Sequence, residues 1–136
     1  MCNLRWMSVA LAFGLSGSAM AEESLVCVPN FSVGYDFDAK TNTWHPTNFD
    51  ITGERHTLHR KSGRMSWSTV GGPSQIDLGC TEWDANGFMK CGQGITVNRK
   101  RLRYLSAFTF GYATNEPDGE DTPMMEIGTC SVHKSY

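Results

Sequence analysis

The chain has 136 residues, 40% of them hydrophobic and 19% charged, with 12 Lys and Arg against 14 Asp and Glu. That length accommodates one domain with a single modest core. The mild negative balance argues against a general nucleic-acid binder, which needs an excess of positive charge to meet phosphates.

The N-terminus has three zones. Residues 1–6 carry one charged side chain, Arg5. Residues 7–15 are apolar and include Val9, Leu11, Phe13 and Leu15. Residues 16–21 are mostly small and end in Ala19-Met20-Ala21. Small residues at these positions are what a signal peptidase accepts, so residues 1–21 are expected to be a cleaved export signal and residues 22–136 a single β domain. A spanning helix needs about 20 predominantly apolar residues. This run is shorter and is interrupted by Gly14, Ser16, Gly17 and Ser18. No membrane span is expected after cleavage, and the expected location is periplasmic or secreted.

Cleavage removes Arg5 and leaves eleven Lys and Arg against 14 Asp and Glu, a net charge of −3 with His neutral. It also removes Cys2, so the odd cysteine count becomes four: Cys27, Cys80, Cys91 and Cys130. An even number in an exported domain reads as two disulfides. Four cysteines allow three pairings, and sequence alone does not choose among them. The favoured set is Cys80–Cys91, which flank the turn signal Asp84-Ala85-Asn86-Gly87, and Cys27–Cys130, near the two ends of the mature chain. In the chain-entropy account a short loop of this kind contributes about 3 kcal/mol and a loop near 100 residues about 4.7 kcal/mol. None of the spacings is the short C-x-x-C type that zinc sites favour.

Beyond Cys27 the recurrent signal is alternation with period two. Phe31, Val33, Tyr35 and Phe37 share one face, and Ser32, Gly34 and Asp36 the other. A polar turn over residues 38–43 precedes Trp44, and Phe49 and Ile51 suggest the returning strand. Residues 55–60 are polar around Leu58 and read as an exposed or edge strand, where charge discourages unwanted pairing. Lys61-Ser62-Gly63-Arg64 is the next turn, residues 65–70 a strand around Trp67, and Gly71-Gly72-Pro73 its end. Ile76, Leu78 and Cys80 alternate again, residues 88–91 follow the Asn86-Gly87 turn, and Ile95 and Val97 make a short strand. Residues 102–112 form the clearest strand, with Leu102, Tyr104, Ser106, Phe108, Phe110 and Tyr112 on one face and Arg103, Leu105 and Ala107 on the other. Residues 114–123 form an acidic loop, and residues 124–132 a last strand. Seven to nine short strands and no helical stripe predict an all-β fold, a small antiparallel barrel or sandwich. A Cys27–Cys130 bond ties the first strand to the last, which favours the barrel.

The chemistry-bearing groups are scattered. His56 and His59 are three apart, and on a strand such positions point to opposite faces, so a shared metal site is disfavoured and both are expected to be solvated. Arg99, Lys100, Arg101 and Arg103 form the dense basic cluster, suited to phosphate or to an acidic partner. Trp83, beside the hairpin turn, is the tryptophan expected to be most exposed, and an exposed Trp suits sugar or protein recognition. Trp44, Trp67, Tyr104, Phe108 and Phe110 are core candidates. Glu116, Asp118, Glu120 and Asp121 form an acidic patch whose spacing does not fit the EF-hand loop. There is no G-x-S-x-G nucleophile motif, and two disulfides leave no free cysteine. No catalytic residue, cofactor or resident metal is assigned.

Several stretches together carry a resemblance: Cys27; Val33-Gly34-Tyr35-Asp36-Phe37-Asp38; Trp44 and Phe49; Leu102-Arg103-Tyr104-Leu105; Phe110-Gly111-Tyr112; and Glu126-Ile127-Gly128-Thr129-Cys130. The set resembles a group of short, uncharacterised exported proteins of Gram-negative bacteria. The resemblance implies a periplasmic or secreted bacterial setting and supplies no site residues. The functional expectation is a small exported binding or inhibitor-type module acting on a protein or glycan partner. Candidate contact residues are Trp83, Arg99, Lys100, Arg101 and Arg103. The alternatives are a hydrolase of an envelope polymer, with carboxylates or histidines as acid and base, and a metal-binding protein using the acidic loop 116–121.

Overall fold

The structure, a computed structural model, describes residues 23–71, 77–109, 112 and 122–134. The expected export signal and the acidic loop 116–121 lie outside the described residues. Among the described residues nine antiparallel strands follow in chain order: β1 (Glu23–Asp38), β2 (Thr43–Asn48), β3 (Arg55–Lys61), β4 (Arg64–Val70), β5 (Asp77–Gly79), β6 (Phe88–Cys91), β7 (Ile95–Asn98), β8 (Arg103–Phe108) and β9 (Met124–Lys134). They form one sheet in the order β5-β4-β3-β1-β9-β8-β7-β6, with β2 paired to the far half of β1.

The sheet curls until its two ends nearly meet. Cys80 and Cys91 form a bridge pair just beyond β5 and at the end of β6. The Thr81 amide donates to the Lys90 carbonyl at 2.8 Å and the Gly92 amide to the Gly79 carbonyl at 3.2 Å. A nearly closed barrel satisfies backbone groups that an open sheet leaves as an unpaired edge. Both expected disulfides are present. Cys27–Cys130 joins directly opposed residues of β1 and β9, and Cys80–Cys91 crosses the seam. The first and last strands are neighbours, as expected, but they lie in the middle of the sheet order and closure falls at β5 and β6.

The interior follows the two-residue alternation of the strands. Leu25 and Cys27 come from β1, Leu58 from β3, Met65 and Trp67 from β4, Met89 and Cys91 from β6, Ile95 and Val97 from β7, Tyr104 from β8 and Cys130 from β9. Trp67, Leu58, Met89 and Val97 are fully enclosed. Burying an apolar side chain the size of Leu58, Met89 or Val97 contributes about 1.5–3 kcal/mol.

Two expectations need correction. Residues 55–60 are not an exposed edge: β3 pairs with β4 along its length and with β1 through Leu25↔Leu58 and Cys27↔His56. The charged ends of that strand masked an interior face made of His56 and Leu58. The face that Phe31, Val33 and Tyr35 share points out of the barrel. A bulge between Pro29 and Phe31 inserts Asn30 without a partner on β9, and such an insertion reverses the side-chain parity beyond it. Leu25, Cys27 and Pro29 point inward before the bulge, and Ser32 after it. The other correction concerns the strand expected over residues 102–112, which among the described residues is seen as Arg103–Phe108, residues 110 and 111 lying outside them. Leu102 adopts a left-handed backbone, φ 53°, which belongs to the turn before the strand.

Candidate functional site

The alternation of β3 and β9 delivers two ionisable side chains to the barrel interior. His56 is 4% exposed and Glu126 3%. His56 Nε2 lies 2.8 Å from Glu126 Oε1. A carboxylate only accepts, so this contact makes Nε2 the donor. His56 Nδ1 meets Thr69 Oγ1 at 2.9 Å, a consequence of the direct His56↔Thr69 register between β3 and β4. The Thr hydroxyl donates or accepts, so it satisfies either form of the ring. Tyr104 Oη donates to the same Glu126 oxygen at 2.7 Å.

Packing holds this network in place. His56 stacks on Trp67 with ring centroids 4.8 Å apart, and Tyr104 closes on both rings at 5.2 and 5.1 Å. Gly128 lies opposite Tyr104 on β9, and a Cβ there would collide with the Tyr104 ring and the Val28 carbonyl. The absent side chain is what lets the ring lie across the strand. Burial, and then donation to the Glu126 carboxylate, hold the Tyr104 phenol well above its usual range, so it remains a protonated donor.

Glu54 enters from the segment before β3. Its Oε1 lies 3.7 Å from His56 Nε2, and its side chain is 18% exposed. Burial, and then the charge of Glu126, raise its affinity for a proton, while His56 acts in the opposite direction. Glu54, His56 and Glu126 offer ligand atoms that all lie within 4.8 Å of one another. Ser32, directly opposite Glu126 in the β1–β9 ladder, is buried, and its hydroxyl has no hydrogen-bond partner among the described residues.

The structure brings together some of the sequence-derived candidates. Trp83 is half-buried, not the exposed side chain expected, because the Arg99 guanidinium lies 5.2 Å over its ring. Both line a hollow of about 120 Å³ with Leu25, Leu58, Met65 and Val132. Lys100 Nζ donates to the Ala85 carbonyl at 3.1 Å, which ties the basic turn to the turn over residues 84–87. Arg101 is exposed at that turn, and Arg103 is exposed on the outer face of β8. Of the two neighbouring histidines, His56 is buried rather than solvated, while His59 falls on the opposite side of β3, as its spacing requires. Trp67 and Tyr104 are core residues, whereas Trp44 packs on Phe37 and Tyr112, outside the core cluster. Phe110 lies outside the described residues.

The outer face of β1, β9 and β8 is a second feature that the sequence reading missed. Val28, Thr129 and Arg103 form one cross-strand row, Phe31, Ile127 and Leu105 the next, and Val33, Met125 and Ala107 a third. Phe31 is 67% exposed, Met125 50% and Ile127 45%. Tyr35 extends the patch along β1. An apolar surface continuous over three strands, with Arg103 at one border, is unlike the scattered single apolar residues of an ordinary protein surface.

Comparison of the chain with known protein families, with curated proteins and with solved structures finds no match in any of the three.

Proposed function

We propose that the protein is a small exported, disulfide-bonded binding module that docks a protein partner on the outer face of β1, β9 and β8. The observation that carries this reading is the set of in-register apolar rows facing outward. An apolar surface patch of this kind is costly to leave exposed to water and favourable to cover. Aromatic residues, Met and Arg are the side chains enriched where proteins meet, and this face offers Phe31, Tyr35, Met125 and Arg103. Arg103 and the neighbouring turn of Arg99, Lys100 and Arg101 favour a partner whose apolar contact surface is bordered by carboxylates. A glycan is a poorer fit, because these rows offer few polar groups to hydroxyl-rich rings. The two disulfides are compatible with an oxidising compartment outside the cytoplasm.

The hydrolase alternative has less support. The pair best suited to acid–base work, His56 and Glu126, is buried in the barrel, where a polymer chain would not reach it.

The reading is tested by placing a photoreactive phenylalanine analogue at position 31 in the exported protein, in the cells that make it. A discrete protein adduct is expected, lost on Leu105→Arg and weakened on Arg103→Glu. The same analogue at position 64, on the β3–β4 hairpin, should give none. No adduct at position 31 would overturn the proposal. An adduct of twice the chain's mass would replace the foreign partner with a second copy, and one removed by glycosidases would shift the reading to a glycan.

A further inference from the structure

We propose that Glu54, His56 and Glu126 form a binding site for a divalent first-row metal ion, with zinc the best match. The inference stands apart from the outer face and goes beyond the binding role. Its starting point is an imbalance of charge. Two carboxylates converge on one imidazole in a largely enclosed space, and buried charges of one sign are stable when they are paired or coordinate a metal. A dication balances the two carboxylates directly.

The donor set suits such an ion. One imidazole nitrogen and two carboxylate oxygens are ligands of the kind zinc accepts, at about 2.0–2.2 Å, and tetrahedral placement at those lengths puts donors about 3.3–3.5 Å apart. The His56 nitrogen already lies 3.7 Å from Glu54 Oε1 and 2.8 Å from Glu126 Oε1. Admitting the ion requires shifts of about half an ångström or less along the two His56 contacts and an approach of the two carboxylates, whose ligand atoms lie within 4.8 Å of each other, to about 3.4 Å, with the His56–Glu126 hydrogen bond exchanged for two coordination bonds.

The surrounding groups are those a coordinated histidine needs. Metal binding at Nε2 requires the tautomer with its proton on Nδ1, and Thr69 Oγ1 is placed to accept that proton's hydrogen bond at 2.9 Å. Tyr104 donates to Glu126 and orients the carboxylate. The second, independent observation is Ser32, whose buried hydroxyl lacks a partner and projects from the residue directly opposite Glu126. Three protein ligands leave a fourth position for water. A water there supplies the hydrogen bond that Ser32 lacks, since directly opposed side chains start about 4.5–5.5 Å apart at Cβ. Glu54, the partly exposed ligand, provides the way in.

The test uses the mature chain with both disulfides intact, stripped of metal by a chelator and titrated with zinc and then cobalt. Calorimetry is expected to show one ion per chain. Cobalt should give the visible absorption of a four-coordinate site, and the His56 ring nitrogen resonances should shift on zinc binding. Glu54→Gln, at the rim of the barrel, should weaken binding at least tenfold while the protein stays folded, and Ser32→Ala should alter the cobalt spectrum. The double variant His45→Ala/His133→Ala removes two exposed histidines and should leave binding unchanged. No heat and no His56 shift at millimolar zinc would overturn the proposal. So would binding that survives Glu54→Gln undiminished or disappears with the two exposed histidines.

Discussion

Phe31 and Ile127 stand directly opposite each other on β1 and β9 and turn their side chains out of the barrel. One step along, the opposed pair is Ser32 and Glu126, and both turn in. The polarity of this part of the sheet is inverted relative to the core around Trp67 and Leu58. The inversion yields a stability prediction. Phe31→Thr and Ile127→Thr, which put a β-branched, strand-favouring side chain at both positions, are expected to change stability by no more than about 0.5 kcal/mol. Trp67→Ala and Leu58→Ala are expected to cost about 3–5 and 2–5 kcal/mol. Urea unfolding of the four variants decides the matter, and a large loss at Phe31 would place its ring inside.

Tyr104 supplies the pH dependence. Its folded-state affinity for the phenolic proton is raised above the unfolded value, first by burial and then by Glu126. A group of this sign contributes stability that is fully present below the unfolded pKa, about 10 for tyrosine, and lost as pH rises beyond it. The protein is therefore expected to lose stability above about pH 10. The Tyr104 share of the phenolate absorbance should appear only with unfolding. Tyr104→Phe removes a hydrogen bond to a charged group and is expected to cost about 1.5–3 kcal/mol at neutral pH. If all the tyrosines of the folded protein ionise near pH 10, the phenol is not held as described.

Much of this fold was legible because strands advertise themselves by alternation and cysteines by parity. The turn at Asp84-Ala85-Asn86-Gly87 places Cys80 against Cys91, and the remaining pair follows. The inward direction of Cys130 also carried information that was not used: Gly128 and Glu126 share its parity on β9, and His56 shares that of Leu58 on β3. An interior carboxylate and an interior histidine were therefore readable separately. Their meeting was not, because 70 residues separate them and the contact depends on how the barrel closes. The outer face was hidden by a single residue. Asn30 adds one position to β1 next to Pro29, which has no amide hydrogen to give to a ladder, and everything beyond it changes sides.

Gly128 makes the site sensitive to one methyl group. A Cβ at this position meets the Tyr104 ring and the backbone of Val28, so the ring must move or the strands must part. Gly128→Ala is expected to cost about 1–3 kcal/mol, the usual range for overpacking. It should also disturb the 2.7 Å contact between Tyr104 and Glu126. The ring protons of His56, which lie against both aromatic faces, report the change by NMR. Unchanged His56 shifts in a stable Gly128→Ala protein would show that Tyr104 does not depend on the missing side chain.

The two disulfides should fail in different ways. Cys80 and Cys91 close a short loop, with a sequence separation of 11, but they sit on the seam where β5 and β6 nearly meet. Replacing both with Ser is expected to cost about 3 kcal/mol through the unfolded chain. In the folded protein the effect is local, and the Thr81 and Gly92 amides, which bridge the seam, should exchange with solvent faster while those of β1 and β9 do not. Cys27 and Cys130 close a loop with a separation of 103, in the middle of a strand pair that stays zipped on both sides of them. Replacing that pair with Ala is expected to cost up to about 4.7 kcal/mol with no local opening, because the ladder persists without the bond. Hydrogen exchange of the two double variants separates these outcomes. Selective opening of β1 from β9, with the seam intact, would show that the long-range bond holds the sheet together rather than restraining the unfolded chain.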